Sequence, residues 1–158
     1  MSGKLAKEIR QTKPFALREE EAFLNLGRTW EFLQGRVADV LKPFELTPTQ
    51  YNMLRILRGA GAEGVTCSQA CERMITPEPD VTRLLDRLEA RQLIRRERSR
   101  NDRRVVVTRI TKEGLGLVDS IDQPLEQVLR RDLGHVGQRR LTELIGTLEE
   151  LRGAGERE

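Results

Sequence analysis

Arginines are the residues in this 158-residue chain whose type and spacing best suit a chemical role. Nine arginines and four acidic residues lie between Arg83 and Arg104, whereas the rest of the chain has slightly more acidic than basic groups. Guanidinium groups bind phosphates and form paired hydrogen bonds with guanine. The segment therefore predicts binding of a nucleic acid.

The positions of the aromatic residues indicate which nucleic acid. Proteins that bind single strands or RNA stack bases on aromatic rings. No aromatic residue follows position 51, so the basic segment has no ring of its own, and duplex DNA is the favoured partner. The six aromatic residues are Phe15, Phe23, Trp30, Phe32, Phe44 and Tyr51.

The sequence gives little support to metal binding, disulfide bonding, catalysis or nucleotide binding. One histidine and two cysteines are too few for an ordinary zinc site or a disulfide scaffold. There is no nucleophile–base pair, P-loop or H-E-x-x-H motif, so we predict no enzyme, no metal and no cofactor. The glycines at 59, 61 and 64 match G-x-G-x-x-G, but they follow a capped helix instead of a strand and are interpreted as a turn.

The hydropathy pattern predicts a cytoplasmic protein with no membrane contact. No run of 18 apolar residues is present, and the first ten residues contain no apolar core of a secretory signal. We expect residues 1–14 to form a frayed arm, or a helix that orders only against a partner.

Periodic apolar residues predict the elements that position the arginines. One long helix covers about 18–41, and T-x-x-Q capping boxes at Thr47 and Thr66 begin two more helices, ending near 58 and 75. A turn and first helical residues at 76–79 lead into a helix that ends near 91. In the second of these short helices, Cys71 and Ile75 are expected to face inward with Ala70 and Met74.

Two strand-like runs follow, at 93–98 and 103–110, joined by a polar turn. A helix-turn-helix followed by an arginine-tipped hairpin predicts a winged helix-turn-helix. Thr111 caps a further helix, in which Pro124 predicts a kink or break, and a last helix covers about 137–152. The tail from Gly153 is expected to be disordered.

These motifs resemble the MarR family of bacterial transcription regulators. The resemblance rests on LTPTQY at 46–51, VTRLLDRL at 81–88, DRR at 102–104 and TKEG at 111–114, and it spans about residues 20–150. It implies a mainly α fold with a small β-hairpin wing and long terminal helices that form a homodimer. It divides the chain into an arm and dimerisation helix at 1–45, a DNA-binding lobe at 46–111 and C-terminal dimerisation helices at 112–158.

The resemblance also implies a function. The helix near 77–91 would enter the major groove of a pseudo-palindromic operator, and an anionic, often phenolic, small molecule would release the repressor from DNA. Asp102 would pair with Arg104 and shape the wing. The predicted DNA-binding residues are Thr82, Arg83, Arg87, Arg95, Arg98, Arg100, Arg103 and Arg104.

Two features depart from the family pattern. Gln92 stands where the family commonly has glycine, which implies a different or strained corner between helix and strand. Glu78 and Asp80 place acids at the groove end of the helix, where they would accept from cytosine or complement the helix dipole.

Several alternatives stay open. Trp30, Phe32 and Tyr51 either line an effector pocket or pack in the core or dimer interface. Cys67 is a candidate redox sensor, with Cys71 one helical turn away. A free cysteine more commonly packs as a small buried apolar residue. A winged-helix module that binds protein is the rival function, and it leaves the arginine-rich hairpin unexplained.

Overall fold

The computed structural model describes residues 4–99, 102 and 104–153. The fold is mainly helical with one small sheet, as predicted, and short 3-10 turns connect several helices. The helices and strands are α1 Lys4–Glu8, α2 Arg18–Leu41, α3 Pro48–Ala60, β1 Val65–Thr66, α4 Cys67–Glu72, α5 Val81–Ala90, β2 Ile94–Arg98, β3 Val106–Ile110, α6 Lys112–Leu133 and α7 Gln138–Gly153.

Both predicted capping boxes are present. The Thr47 hydroxyl accepts from the backbone N–H of Gln50, whose side chain accepts from the Thr47 N–H at 2.9 Å. Thr66 and Gln69 repeat this arrangement at the start of α4. Each box satisfies two backbone donors that the first helical turn leaves free. These short sequence motifs therefore fix where α3 and α4 begin.

The connection between α4 and α5 differs from the prediction. Helix α4 ends at Glu72 instead of near residue 75, and Cys71 and Ile75 are exposed instead of inward-facing. Helix α5 begins only at Val81, because the Asp80 carboxylate caps it by accepting from the Arg83 N–H at 3.0 Å. Both prolines of this connection therefore precede the helix.

The sheet contains a strand that the sequence patterns did not predict. This strand is β1. The strand order of the sheet is β1-β3-β2, and both strand pairs are antiparallel. Gly64 precedes β1 with φ +68°, and a Cβ built there would lie 2.5 Å from the Thr108 carbonyl oxygen. This position therefore requires glycine, which explains the last residue of the glycine-rich motif without any nucleotide.

Helix α6 continues through Pro124, so a break at this proline is wrong, and a kink stays a prediction. Proline removes one helical hydrogen bond and crowds the preceding turn. Apolar residues before and after it are buried, with Ile121 and Leu125 in the core together with Val118. Tertiary packing of this apolar face offsets the local cost of the proline.

One hydrophobic core joins all three predicted segments. Leu41 of α2, Leu54 of α3 and Val118 of α6 are fully buried in it, together with Leu88 of α5. The division at residues 45/46 and 111/112 stays a prediction. The leucines of α5 are part of this core and α5 packs against β2, so the outer face of α5 has a fixed direction.

Helix α1 and the long helix α2 differ in how far their apolar residues are buried. Helix α1 packs on α2 with Leu5 and Ala6 buried. On α2, by contrast, the apolar residues Phe23, Leu26 and Trp30 are exposed, Phe23 at 73 %. No helix in the described part of the chain is long and apolar enough to cross a membrane.

Candidate nucleic-acid interface

Helix α5, hereafter the reading helix, has one buried and one polar face. Leu84, Leu85 and Leu88 pack into the core at helical spacing. Thr82, Arg83 and Arg87 are exposed on the other side, and the two arginines lie one turn apart. Neither arginine forms an ion pair with any residue that the structure describes. Their guanidinium groups are therefore available to an external partner.

The acids at the start of the reading helix have local partners. Asp80 caps the helix, and the Glu78 carboxylate accepts from the Asp80 N–H at 3.3 Å. These contacts favour the helix-dipole interpretation of both acids over base recognition, since each carboxylate already accepts a backbone hydrogen bond. They also place negative charge at the positive end of the helix dipole.

The wing is the β2–β3 hairpin, residues 94–110. Its exposed arginines include Arg95, which lies 3.3 Å from Glu97, and Arg98 and Arg104, neither of which forms an ion pair with a described residue. The predicted contacts Arg100 and Arg103 lie outside the described residues. The Asp102 carboxylate accepts from the backbone N–H of Arg104 at 2.9 Å, so its contact with Arg104 runs through the main chain. A short turn is stabilised in this way.

An ion cluster that the sequence patterns missed fixes the wing to the reading helix. The Arg96 guanidinium donates to Glu89 at 2.9 Å and to Asp86 at 2.6 Å, and its backbone N–H also donates to Glu89. These hydrogen bonds hold the pKa of the Glu89 carboxyl below its usual range. The sequence did contain a signal for this cluster, namely the acids Asp86 and Glu89 three residues apart on α5, followed by Arg96 on β2.

Replacing Glu89 with glutamine should reduce stability at neutral pH, by about 1 kcal/mol given the partial exposure of the pair. Because the folded-state pKa of Glu89 is lowered, its contribution is present above the unfolded pKa of about 4.3 and is lost as the pH falls through the folded value. Urea unfolding at several pH values should therefore show wild type and E89Q converging in acid. The exposed Glu63 supplies the matched control, E63Q. A wild-type advantage over E89Q that persists at the lowest pH would contradict this assignment.

The end of the reading helix is also anchored. Arg91 donates to the backbone oxygens of Glu45 at 2.6 Å and Phe44 at 3.0 Å. Gln92 adopts φ +59°, the left-handed conformation that favours glycine, as its departure from the family pattern implied. Thr111 donates to the Gln92 carbonyl at 2.7 Å and holds this corner in place.

A cavity of about 440 Å³ lies between α2, α3, α6 and the connection that leads into the reading helix. Trp30 and Tyr51 both line it, whereas Phe32 lines a separate cavity against α1. The separation follows from helix geometry, since residues two apart on α2 face different directions. Other lining residues include Asn52, Arg55 and Ile75.

Tyr51 connects the cavity to a charged network between α3 and α6. Its ring lies 5.9 Å below the Arg55 guanidinium, its hydroxyl contacts Asp122, and burial raises its pKa. Arg58 donates to Asp119 at 2.9 Å and to Asp122 at 2.7 Å. Tyr51 is buried and belongs to the core as well as to the cavity wall.

The cysteines do not match the requirements of a low-pKa redox sensor. Both are exposed free thiols. Partial burial of the Cys67 thiol and the neighbouring Cys71 thiol raise the pKa of Cys67, whereas a redox sensor needs a lowered pKa. A redox role for Cys67 is therefore not carried further.

Comparison with known proteins gives consistent matches. A family model described as "MarR family" matches residues 44–105. The crystal structure of a MarR transcription factor from Planctomyces limnophilus is 38% identical, with a TM-score of 0.66, and the match covers 85% of this chain and 98% of that one.

Two curated relatives come from Bacillus subtilis (strain 168). The HTH-type transcriptional regulator MhqR is 27% identical over 99 residues, which cover 63% of this chain and 67% of the relative. The HTH-type transcriptional repressor MdtR is 33% identical over 91 residues, which cover 58% of this chain and 57% of MdtR. The matches therefore span between about half and two thirds of these relatives.

Proposed function

Because the chain belongs to the MarR family of transcription regulators, we propose that it binds specific, pseudo-palindromic sites on duplex DNA as a homodimer. The observation that carries this proposal is the pairing of two exposed arginine surfaces, one on the reading helix and one on the wing. The Arg96 cluster holds these two surfaces in a fixed relation. Such rigidity suits recognition of one DNA geometry.

The reading helix enters the major groove in this proposal. Arg83 and Arg87 are long enough to reach base edges or phosphates, and arginine bound to guanine is the commonest specific contact. Thr82 lies beside them on the same exposed face. The wing arginines Arg95, Arg98 and Arg104, with Arg100 and Arg103, contact the backbone and the minor groove.

The homodimer is supported by the exposed apolar residues of the long helices. Large apolar side chains are exposed on α2, α6 and α7, which is unusual on a monomer surface. Burying them between two chains places two reading helices at one duplex turn, about 34 Å apart. These exposed residues are Phe23, Leu26, Trp30, Phe32, Leu129, Leu144, Ile145 and Leu151.

Release by a small molecule is supported by the cavity at Trp30 and Tyr51. Its volume suits a small ligand. Arg55 supplies a positive charge and Trp30 an aromatic surface, which together suit an anionic aromatic compound. The wall includes Ile75, whose N–H donates to Asn52 at 3.0 Å in the connection that leads into the reading helix. A ligand that moves this connection shifts the reading helix.

Repression is the regulatory outcome we propose. One relative is a transcriptional repressor by name. A dimer that covers about one to two duplex turns blocks access of other proteins to the same DNA, and this mechanism needs no further domain. No enzyme chemistry is required.

DNA binding should be strongly dependent on salt. Neutralising about 6–10 phosphates gives a log–log slope of the binding constant against salt of roughly −5 to −9. Fluorescence anisotropy with a duplex selected from random sequence by the purified protein measures this slope, and a shuffled duplex is the control. Sedimentation of the complex should give two chains per duplex. A flat salt response, or equal affinity for the shuffled duplex, would favour the protein-binding alternative.

A further inference from the structure

The thiols of Cys67 and Cys71 form a pair on the surface of α4. They lie one helical turn apart, both residues are exposed, and the neighbouring Cys71 thiol contributes to raising the pKa of Cys67. The proposed DNA contacts and the cavity at Trp30 use neither residue. Two neighbouring, accessible thiols are a chelating group, whereas one thiol is not.

The fold fixes the spacing of this dithiol pair. Thr66, directly before Cys67, pairs with Val107 in the sheet and closes the capping box with Gln69. Ala70, between the two cysteines in the sequence, anchors α4 in the core with 1 % exposure, whereas Cys67 and Cys71 are both exposed. The pair therefore does not have to be assembled when a ligand arrives.

The spacing disfavours a direct disulfide. Helical residues four apart have Cβ atoms about 5–6 Å from each other. A disulfide needs Cβ atoms about 3.5–4.5 Å apart, so forming one would distort α4. An atom inserted between the sulfurs lengthens the bridge and relieves this mismatch.

The surroundings also disfavour zinc. Zinc takes four ligands and binds thiolates. Among the described residues, no group of three or more His, Cys, Asp or Glu side chains is placed to hold a metal ion. The raised pKa of Cys67 keeps its thiol protonated at neutral pH. A suitable ligand reacts with two neutral thiols and needs no third side chain.

We propose that Cys67 and Cys71 form a binding site for trivalent arsenic compounds, with one arsenic atom bridging the two sulfurs. Arsenous acid exchanges two of its three hydroxyl groups for the two thiols. Two As–S and two O–H bonds form, two As–O and two S–H bonds break, and two water molecules leave. Arsenic stays trivalent, so the reaction needs neither an oxidant nor a reductant.

Phenylarsine oxide is the probe for this site, because it condenses with two thiols and releases one water. Intact mass spectrometry should find one phenylarsenic group per wild-type chain, retained in a large excess of a monothiol and removed by a small dithiol. C67S and C71S should each lose the group to the monothiol. An adduct that the monothiol removes from wild type, or that either single variant retains, would overturn the proposal.

The variant C71S/E72C supplies the geometric control. It keeps two thiols on α4 but moves one to the opposite side of the helix, so it should behave like the single-cysteine variants. Retention of the group by this variant would show that thiol number alone matters and would refute a built site. The assay contains no DNA, so its outcome is independent of the proposed regulatory function.

Discussion

Alanine at position 83 should weaken binding to a selected DNA site at least about 30-fold. A specific arginine–base contact contributes about 1–3 kcal/mol. The proposed dimer carries two copies, so the expected loss is about 2–6 kcal/mol. The wing and the remaining phosphate contacts would be intact, so weak binding to any duplex should persist at low salt.

The fold should tolerate this change. The Arg83 side chain is exposed. The backbone N–H of Arg83 donates to the Asp80 carboxylate, and alanine keeps this hydrogen bond because it has the same backbone. Alanine is also a favourable helix residue. Circular dichroism and sedimentation should therefore give wild-type helix content and the wild-type number of chains per particle.

Anisotropy titrations at physiological salt measure the effect on a selected and a shuffled duplex. Arg140→Ala, an exposed position on α7, removes the same charge outside both arginine surfaces. We expect this control to bind within a few-fold of wild type. Equal affinities of R83A and wild type for the selected duplex would refute the proposed role of the reading helix.

Alanine at position 114 should be strongly destabilising. A Cβ at Gly114 would lie 2.1 Å from the Leu93 carbonyl oxygen and 2.8 Å from Ile110. The Leu93 oxygen also accepts from the Thr111 N–H at 3.0 Å, so it is not free to move aside. The base of the wing and the start of α6 would have to separate. Overpacking of this kind costs about 3 kcal/mol, at the upper end of its range.

The matched control is Gly116→Ala in the same helix. A Cβ at Gly116 meets no atom within 4 Å. Replacing a helical glycine by alanine stabilises by up to about 1 kcal/mol. The two substitutions lie two residues apart in the same helix and add the same methyl group, yet they should alter stability in opposite directions.

Thermal unfolding at one fixed protein concentration measures both variants. A loss of about 3 kcal/mol lowers the Tm of a chain of this size by roughly 6–12 °C. G116A should equal or exceed the wild-type Tm. A G114A variant with the wild-type Tm would contradict the close approach of α6 to Leu93.

Sequence patterns predicted the elements whose ends are set by local chemistry. The two T-x-x-Q boxes, the threonine cap of α6 and the 18–41 helix appear where the sequence placed them. A capping box spans four residues, and its hydrogen bonds form between neighbours in the chain. The sequence alone therefore contains all of its determinants.

Local patterns failed where distant residues decide the outcome. Pro124 predicted a kink or a break, but burial of Ile121 and Leu125 keeps α6 continuous. The two residues of β1 carry no strand signal by themselves, and they become a strand only because β3 lies beside them. Asp80 caps the reading helix, so residues 76–79 lie before the helix and do not supply its first residues.

The same division applies to the candidate site. The sequence by itself determined which residues are exposed on the reading helix, because an apolar period of three to four leaves Thr82, Arg83 and Arg87 on the opposite face. Only the tertiary structure decided that Arg96 holds the wing to that helix, that Arg91 binds the backbone near residue 45, and that Trp30 and Phe32 line separate cavities. These contacts join residues from different elements, and their partners depend on how the elements pack rather than on local spacing.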